Sequence, residues 1–596
     1  MRQITASLTF VLAAAAGCTT AGVGPASRVY TASATDVRAD WADSVLRSLT
    51  LREKAAQIVW PTVLGDYASG DSPQWRRLTQ YITQEKVGGF TISVGSPTEL
   101  AAKLNALQSM SGIPMLFGAD LEAGAGFRAR GGYFVPNAID LGGAVVFPPE
   151  MAIGATRDTA LAYEQGRLTA KEGRALGIHI AYAPVLDVNN NPENPVINTR
   201  SYGEEPHQAG RLGAAFIRGV QDHGMIATGK HFPGHGDTGV NSHLALPTIT
   251  VSRSRLDSVE LVPFRAAVKA GVGAMMSFHG AMPALDATNV PGTLSQKVLT
   301  DLLRGELGFN GMIISDAMDM RGVLDMFGAA EMVKRAVNAG VDVLIQPVDV
   351  TQTIDAVVAG VSEGRYTEER LDRSVRRVLE AKQKLGLTRN KLVDLNALRF
   401  AVGDSANLSI ARRVAERSIT LVKDSLRQLP LNPSARVLSI TVARRADLPA
   451  GNAFNAELRT RIRNLRTEFV GTEDAGVNYA RLLQAADSAD VTIISSYVGQ
   501  SWDALTASAP QIFTGFVQSL AQRGRKPVVV AFGNPYLLQQ MPWIPAYLVA
   551  WGGFPVSQQA AARALLGSAA ITGQLPITIP PHVRRGAGEQ RGVTAQ

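Results

Sequence analysis

Short apolar runs alternate with helical stretches over the first two thirds of the chain. The runs are apolar on both faces, which is typical of parallel strands buried inside a sheet. They lie at residues 89–94, 114–119, 179–185, 225–228, 274–278, 312–315 and 341–345. Seven or eight strand–helix units between residues 40 and 388 predict a closed (β/α)8 barrel of the TIM type rather than an open sheet.

A helix is expected to begin just before the first strand of the barrel. Thr50 is followed three residues later by Glu53, which is the spacing of a capping box. The two side chains would each accept a hydrogen bond from the other's backbone N–H group. We therefore expect a helix to begin immediately after Thr50.

A second α/β pattern follows the barrel. It consists of a helix near residues 410–422 and strands at 437–442, 491–496, 528–532 and 547–551, with helices between them. This alternation predicts a parallel sheet covered by helices on both faces, an α/β sandwich domain over residues 408–582. Residues 389–407 lack periodicity and are interpreted as a linker. Residues 583–596 are rich in Gly and Arg, which predicts a flexible tail.

The first residues have the pattern of an export signal. Arg2 precedes an apolar run over residues 8–16, which is too short to span a bilayer and is typical of the core of a signal peptide. The run ends in Ala-Ala-Gly before Cys18, the only cysteine of the chain. Small residues before a cysteine resemble a bacterial lipobox, in which the cysteine is lipidated.

Residues 1–18 are therefore interpreted as a lipoprotein signal peptide, and residues 19–39, rich in Ala, Ser, Thr and Gly, as a tether. The alternative is cleavage of an ordinary signal peptide at a nearby position, in which case Cys18 is not lipidated. No later segment reaches the ~18 continuous apolar residues of a spanning helix. We expect a periplasmic or cell-surface lipoprotein that is held to the membrane by a lipid anchor at Cys18.

Composition and charge narrow the class of protein. With 596 residues, 46% of them hydrophobic and 18% charged, the chain can bury two large cores. The net charge of +8 is spread along the chain, and no stripe of Lys and Arg is interleaved with aromatic residues. The sequence therefore gives no indication of a nucleic-acid partner.

The densest chemical signal is the run K-H-F-P-G-H-G-D at residues 230–237, which leads to N-S-H at 241–243. Three of the eight histidines fall within thirteen residues here. His231 and His235 have the spacing of a zinc pair, but such a pair needs a helix, and Pro233 with its neighbouring glycines disfavours one. Polar packing within a loop remains an alternative.

This run resembles the pattern of glycoside hydrolase family 3, K-H-F-P-G-H-G followed four residues later by D-S-H. Further matches lie in the expected order on both sides and cover about residues 40–580. They are A-P-V-L-D-V-N at 183–189, N-P-V-I at 194–197, R-S-Y-G-E at 200–204, L-G-F at 307–309, S-D-A-M-D-M at 315–320, S-I-T-L-V-K at 418–423 and Q-L-P at 574–576.

The resemblance implies a retaining glycosidase with Asp316 as its nucleophile. Hydrolysis of a glycoside needs a carboxylate to meet the positive charge that develops at the anomeric carbon, together with a proton donor for the leaving oxygen. Asp316 follows a predicted buried strand, so its carboxylate would lie at the mouth of the barrel. Asp319 is the rival within the same motif, and capping of the following helix by both residues is the structural alternative.

Four further residues match the family's substrate-binding positions. Asp120 corresponds to the acid that binds sugar hydroxyls, and Arg200, Lys230 and His231 correspond to residues that bind hydroxyls or the N-acetyl group. One departure lies beside Asp120, where E-A-G-A-G-F-R at residues 122–128 replaces an E-G-G-R-V-like run. This loop is expected to be flexible. Its glycines are only a weak match to a dinucleotide-binding fingerprint.

The identity of the acid/base separates the branches of the family. N-acetylglucosaminidases use the histidine of D-S-H, which corresponds to His243, whereas β-glucosidases usually carry a tryptophan after the nucleophile. Ala317 occupies that position here, so the resemblance favours a β-N-acetylglucosaminidase. Asn241 departs from the pattern by replacing its aspartate.

The expected reaction is exo-hydrolysis of terminal β-linked N-acetylglucosamine from peptidoglycan fragments or chitin-like oligosaccharides. A β-glucosidase-type hydrolase and a non-catalytic glycan-binding lipoprotein are the alternatives, the latter on account of Asn241. The resemblance implies no cofactor and no metal.

Overall fold

The computed structural model describes residues 38–133, 139–242, 244–474, 477–499 and 509–594. The predicted signal peptide, the lipidation site at Cys18 and most of the tether lie outside the described residues, and so does His243. Among the described residues, no helix is both long and apolar enough to cross a membrane.

The structure alternates helices and strands along almost all of its length. The helices are α1 (Arg38–Ser48), α2 (Leu51–Gln57), α3 (Pro73–Gln80), α4 (Pro97–Met110), α5 (Glu150–Thr156), α6 (Thr159–Ala175), α7 (Pro206–Gln221), α8 (Arg253–Ser258), α9 (Leu261–Lys269), α10 (Arg321–Phe327), α11 (Ala329–Ala339), α12 (Val350–Ser362), α13 (Glu368–Lys384), α14 (Leu398–Ala401), α15 (Ser405–Ser418), α16 (Asn452–Arg459), α17 (Tyr479–Asp487), α18 (Gln511–Gln522) and α19 (Pro555–Leu565). The strands are β1 (Val59–Trp60), β2 (Thr62–Val63), β3 (Gly89–Ile92), β4 (Leu116–Ala119), β5 (Arg130–Tyr133), β6 (Ile139–Gly143), β7 (Ile180–Ala181), β8 (Ile226–Phe232), β9 (Ala274–Ser277), β10 (Met312–Ile314), β11 (Leu344–Ile345), β12 (Thr420–Asp424), β13 (Arg436–Ala443), β14 (Asn464–Gly471), β15 (Val491–Ser496), β16 (Val528–Ala531) and β17 (Ala546–Val549). Turns of 3₁₀ helix span Ala125–Phe127, Asn198–Arg200, Gly292–Leu294 and Pro535–Gln539, and π-helical segments span Tyr81–Glu85 and Lys297–Glu306.

The first α/β unit is a parallel barrel. Seven strands pair in the spatial order β2, β3, β4, β7, β8, β9 and β10. A parallel bridge between Ile314 and Val343 leads on to β11, which pairs with β1. Pro61 separates β1 from β2, and together they form the first of the eight barrel strands. The remaining barrel strands, second to eighth, are β3, β4, β7, β8, β9, β10 and β11.

The start of the barrel confirms the predicted capping box. The Thr50 hydroxyl accepts a hydrogen bond from the Glu53 backbone, and the Glu53 carboxylate accepts one from the backbone N–H of Thr50. The helix that follows, α2, leads directly into the first barrel strand. That strand, over residues 59–63, was not among the predicted runs, because Pro61 interrupts its apolar pattern.

The second α/β unit is a six-stranded sheet in the order β12, β17, β16, β15, β13, β14. All neighbours pair in parallel except β12, which is antiparallel to β17. The predicted (β/α)8 barrel followed by an α/β sandwich is thus confirmed. Three details differ from the sequence prediction, the first being the antiparallel strand β12 in a sheet that was expected to be parallel. The predicted helix near 410–422 ends at Ser418 and is followed by β12, and the edge strand β14 is half exposed and therefore lacks an apolar run.

The end of the chain differs from the flexible tail expected at residues 583–596. Up to residue 594 it packs along the sandwich domain: Glu589 pairs with Leu421 of β12, and Arg591 pairs with Ile571. The physical reason is the unpaired edge of β12, whose backbone groups need partners. The predicted linker at 389–407 contains α14 and the first residues of α15.

The two units share a hydrophobic core. Phe147 and Tyr202 of the barrel cluster with Val414 of α15 and with apolar residues of the sandwich sheet. Polar contacts add to this junction, because Asn189 donates to the Tyr536 hydroxyl over 2.8 Å and Thr578 donates to Glu204 over 2.7 Å. The sandwich is therefore packed against the barrel loops that carry functional candidates.

Candidate active site

The candidate residues lie at the carboxyl ends of the barrel strands, which is where barrel enzymes place their active sites. Asp120 follows β4, Lys230 and His231 belong to the end of β8, and Asp316 lies two residues beyond β10. Arg200 ends a short 3₁₀ turn in the long loop after β7. The closed barrel brings residues that are almost 200 positions apart to one mouth.

Alternating charges form a compact cluster at this mouth. Lys230 places its Nζ atom 2.7 Å from Asp120 Oδ1 and 2.7 Å from Glu122 Oε1. Arg200 donates to both oxygens of Glu122, over 2.7 and 2.9 Å. Arg128 donates to Asp120 Oδ2 over 2.6 Å. Each carboxylate is thus held by two cations, and each contact is a charge-assisted hydrogen bond.

The cluster remains charged at neutral pH. Burial opposes ionisation of Asp120, but the charges of Lys230 and Arg128 outweigh it and lower the pKa of Asp120 to about 2. Burial likewise opposes ionisation of Glu122, yet Arg200 and Lys230 hold its pKa well below its usual range. Burial would lower the pKa of Lys230, but the two carboxylates raise it. The cluster therefore offers fixed donors and acceptors to neutral hydroxyl groups.

His231 is oriented by a buried carboxylate. Asp187 Oδ2 lies 2.7 Å from Nδ1 of His231, and Asp187 Oδ1 accepts the backbone N–H groups of His231 and His235 over 3.1 and 2.7 Å. Burial raises the pKa of Asp187, but His231 reverses this effect and lowers it. The ionised carboxylate fixes the His231 ring with its proton on Nδ1, as carboxylate partners of histidine generally do.

The turn that carries Asp316 is tied to the neighbouring strand. The backbone N–H of Ala317 donates to Asp316 Oδ1 over 2.8 Å. The His279 ring lies with Nε2 3.0 Å from the Ala317 carbonyl and Nδ1 2.7 Å from the Thr293 hydroxyl. Because burial lowers the pKa of His279, its ring is neutral and donates through Nε2 to this carbonyl. His279, which follows β9, thereby holds the backbone of the residue next to Asp316.

The loop after β8 returns to the site at Asn241 and Ser242, both of which are buried. The backbone carbonyl of Asn241 accepts hydrogen bonds from the backbone N–H groups of Leu244 and Ala245, which makes a turn. The Ser242 hydroxyl lies 2.9 Å from His235 Nε2. Burial, and then the charge of His231, lower the pKa of His235 to about 3, so its ring is neutral. The predicted acid/base, His243, is outside the described residues.

The structure thus brings Asp120, Arg200 and Lys230 into one cluster and places Asp316 after the seventh barrel strand, at the same mouth. Sequence reasoning did not assign roles to four residues that the geometry makes prominent: Glu122, Arg128, Asp187 and His279. The first three stood within quoted motifs, so their position was visible but their partners were not. His279 had no sequence signal beyond its place after a predicted strand.

The loop beside Asp120 is closely packed, in contrast to the flexibility expected from its glycines. Gly126 donates to the Val145 carbonyl over 3.0 Å, and a Cβ atom on Gly126 would lie 2.1 Å from the Ala144 carbonyl oxygen. The glycines are required by this close approach of two backbones. Only a three-residue 3₁₀ turn follows Gly124, not the helix of a dinucleotide-binding motif.

Metal ligation finds no support in the geometry of the histidines. The rings of His231 and His235 lie 5.8 Å apart in a T-shaped arrangement, and His231 is engaged by Asp187. In the parts of the chain that the structure describes, no group of three or more His, Cys, Asp or Glu side chains is placed to hold a metal ion.

Hydrolysis of a glycoside needs carboxylates beside the bound sugar, and this barrel carries carboxylates and cations at the carboxyl ends of its strands. Residues 50–381 match the glycosyl hydrolase family 3 N-terminal domain and residues 419–592 match the family 3 C-terminal domain. The chain belongs to glycoside hydrolase family 3, and the resemblance noted from its motifs is confirmed.

Individual relatives support the same class. A β-N-acetylglucosaminidase/β-glucosidase of Cellulomonas fimi is 29% identical over 530 residues, covering 82% of this chain and 88% of that protein. β-Hexosaminidase A of Pseudoalteromonas piscicida is 28% identical over 564 residues, covering 84% and 91%. The solved structure of a family 3 β-N-acetylglucosaminidase from Paenibacillus sp. str. FPU-7 has a TM-score of 0.79 at 32% identity, covering 92% of this chain and all of that one. The protein is a glycoside hydrolase.

Proposed function

We propose that the protein removes terminal β-linked N-acetylglucosamine from peptidoglycan fragments or chitin-like oligosaccharides with retention of configuration. The observation that carries this proposal is that Asp316 and the cluster of Asp120, Lys230 and Arg200 lie at the same mouth of the barrel, at the ends of different strands. The cluster would bind the hydroxyls of the terminal sugar, and Asp316 would attack the anomeric carbon to form a glycosyl-enzyme intermediate. The names of the Cellulomonas and Paenibacillus relatives include β-N-acetylglucosaminidase, which supports N-acetylglucosamine as the sugar.

The chemistry requires a proton donor for the leaving oxygen, and we assign this role to His243. Asn241 would orient the histidine through its amide oxygen without supplying a negative charge. After departure of the leaving group, the neutral imidazole would take a proton from the attacking water. The hydrolysis of the intermediate then releases the sugar and restores the Asp316 carboxylate.

A pair of aryl β-glycosides that differ only in the N-acetyl group tests the sugar specificity. We expect kcat/KM for the aryl N-acetylglucosaminide to exceed that for the aryl glucoside by at least about 10-fold, because a site built to bind the acetamido group rejects a sugar that lacks it. The second candidate, a β-glucosidase-type hydrolase, draws on the double name of the Cellulomonas relative. Faster turnover of the glucoside would establish it instead. Absence of turnover on both, with the fold intact, would favour the non-catalytic glycan-binding lipoprotein.

We further propose that the enzyme is exported and anchored to a membrane by acyl chains on Cys18. The support is the apolar run before Cys18 and the small residues that separate the two. Cys18→Ser should move the protein from the membrane fraction to the soluble fraction, because loss of the acyl chains removes most of the membrane affinity. Fractionation followed by immunodetection measures this shift, and an unchanged distribution would show that Cys18 is incidental.

A further inference from the structure

The positive charge of the protein is concentrated in the sandwich domain. Residues 408–596 contain 20 Lys and Arg against 11 Asp and Glu, whereas residues 1–407 contain 39 against 40. The excess of the whole chain therefore lies in the second unit, in contrast to the even spread that the whole sequence suggested. Where these cations lie on the domain is decided by the fold.

Neighbouring strands of the sandwich sheet begin side by side. Arg436, the first residue of β13, pairs with Asn464, the first residue of β14. Val528 likewise pairs with Ala546 where β16 and β17 begin. Because β12 is antiparallel, its last residue, Asp424, pairs with Ala546 at the same end. We call this end of the sheet the amino-end face; it comprises residues 424–427, 436, 461–463, 487–490, 523–527 and 541–545. Six strands at a spacing of about 4.8 Å make it about 24 Å wide.

Cations outnumber acids on the amino-end face. The cations are Arg427, Arg436, Arg461, Arg463, Arg523, Arg525 and Lys526, and the acids are Asp424, Asp487 and Asp490. Asp424 is buried, Asp490 pairs with Arg436, and Asp487 pairs with two arginines of the same face. Arg427, Arg463 and Lys526 are exposed, and none of them forms an ion pair within the described part of the chain. The face therefore presents unpaired positive charge to its surroundings.

Two large apolar side chains are exposed on the same face. Leu426 is 48% exposed and Trp543 is 40% exposed. Their loops are joined, because the backbone N–H of Ser425 donates to the carbonyl of Pro545 over 3.0 Å. An exposed tryptophan beside unpaired cations is typical of proteins that bind anionic bilayers, in which the ring lies at the level of the headgroups and the cations meet the phosphates.

We propose that the amino-end face docks onto the surface of an anionic lipid bilayer. A hydrophilic polyanion would neutralise Arg427, Arg463 and Lys526 equally well, but it would leave Leu426 and Trp543 in water. A bilayer accommodates both, because its interface offers phosphate groups and apolar chains together. The proposal is independent of the catalytic assignment and of lipidation at Cys18.

Docking at this face would keep the active site away from the bilayer. The barrel meets the sandwich at the opposite, carboxyl ends of the strands, where Asn534 and Tyr536 contact the loop that carries Arg200. The strands separate the two ends, and the six residues of β15 measure about 20 Å. A bilayer bound to the amino-end face therefore leaves the barrel loops on the far side of the sheet, where glycans can reach them.

Sedimentation with lipid vesicles tests the proposal. The full chain carries Cys18→Ser throughout, so that no acyl chain contributes, and the vesicles consist of phosphatidylcholine alone or of equal parts of phosphatidylcholine and phosphatidylglycerol. We expect binding to the mixed vesicles that weakens as the salt concentration rises. Arg427→Gln combined with Lys526→Gln should lower the partition coefficient by about 10-fold, and Arg463→Gln alone by about 3-fold. Trp543→Ala should lower it by about 5-fold through loss of apolar burial.

Matched controls remove the same groups from other parts of the surface. Arg412→Gln combined with Arg413→Gln removes two exposed cations from α15, and Phe400→Ala removes an aromatic ring that is 70% exposed. Both controls should bind the mixed vesicles as the unsubstituted protein does. Unchanged unfolding temperatures establish that the variants keep their fold.

Several results would overturn the proposal. Equal binding to the two kinds of vesicle, or equal losses in the face variants and their controls, would show that the face does not recognise an anionic bilayer. Undiminished binding by Trp543→Ala would exclude contact of the apolar side chains with lipid. Binding to insoluble peptidoglycan without binding to the mixed vesicles would identify a wall polymer as the partner of this face instead.

Discussion

Asp316 is the residue on which the chemistry of this enzyme is expected to depend. Its backbone is held by the His279 contact to Ala317, and its side chain is partly exposed at the barrel mouth. Asp316→Ala should abolish turnover and leave the fold intact, because the residue would supply a covalent bond that forms only during reaction. A 2-fluoro sugar with a good leaving group should label Asp316 in the wild-type enzyme, as peptide mapping by mass spectrometry would show. Label on Asp319, or wild-type rates in Asp316→Ala, would contradict the assignment.

Asn241 is expected to set the alkaline limit of activity. The cluster does not titrate near neutral pH, since the pKa of Asp120 is about 2 and that of Lys230 is raised. An aspartate at position 241 would stabilise the imidazolium and raise its pKa. Asn241→Asp should therefore raise the upper apparent pKa of the pH–rate profile and extend activity to more alkaline pH. Measuring kcat/KM against pH for both proteins tests this.

The matched control for that experiment is His243→Ala. It should cost most on substrates with poor leaving groups, which need protonation, and little on activated aryl glycosides. An unchanged pH profile in Asn241→Asp, together with normal turnover of natural-type substrates by His243→Ala, would place the acid/base elsewhere. In the loop after β8, the carboxylate nearest in sequence to Asn241 is that of Asp237, whose Oδ2 atom lies 3.7 Å from Nη2 of Arg255.

At the scale of the elements, the loop after β8 is positioned by a close approach of two backbones. A Cβ atom on Gly236 would lie 1.7 Å from the Val188 carbonyl oxygen. Val188 follows Asp187, whose carboxylate holds His231 and His235. The spacing of the β7 and β8 loops therefore determines how the histidines are oriented.

Gly236→Ala should disturb this spacing and lower activity. We expect a destabilisation of about 1–3 kcal/mol from overpacking and a fall in kcat/KM, because the Asp187 contacts would shift. Gly239→Ala in the same loop is the control, since a Cβ atom there has no other heavy atom within 4 Å. Thermal unfolding and steady-state kinetics of the two variants provide the measurement. Equal behaviour of the two would show that the loops do not depend on this contact.

For the whole molecule, the sandwich domain positions the barrel loop that carries Arg200. Asn189 and Asn198 of that loop donate to Tyr536 and Asn534 over 2.8 and 3.3 Å. Loss of the Tyr536 hydroxyl would leave the Asn189 amide without this acceptor in a buried place. The contact is thus a route by which the second domain influences the active site without touching the substrate.

Tyr536→Phe should lower kcat/KM by about 10-fold, mainly through KM, because the substrate-binding loop would lose part of its fixed geometry. Tyr366→Phe is the matched control, since the Tyr366 hydroxyl is also buried but donates to Val357 within the barrel. Similar unfolding temperatures with different KM values would support a positioning role. Equal KM values in the two variants would limit Tyr536 to a structural role.

Much of this molecule could be predicted from local patterns. The apolar runs determined the barrel and most sandwich strands, since a strand buried on both faces must be apolar throughout. The capping box determined the start of α2, the motifs identified the family, and they supplied Asp120, Arg200, Lys230, His231 and Asp316 as candidates for the site. These features depend on side chains that are close in sequence, so the chain alone expresses them.

Other features were decided only by the tertiary structure. The pairing of Glu122 with both Lys230 and Arg200 joins three separate loops, and no local pattern contains it. The half-exposed position of β14 and the pairing of the chain end along β12 depend on which sheet edge each segment meets in the folded chain. Contacts between distant segments form only when the chain folds. The sequence therefore predicted which residues take part in the site, whereas the fold determined which residues they contact.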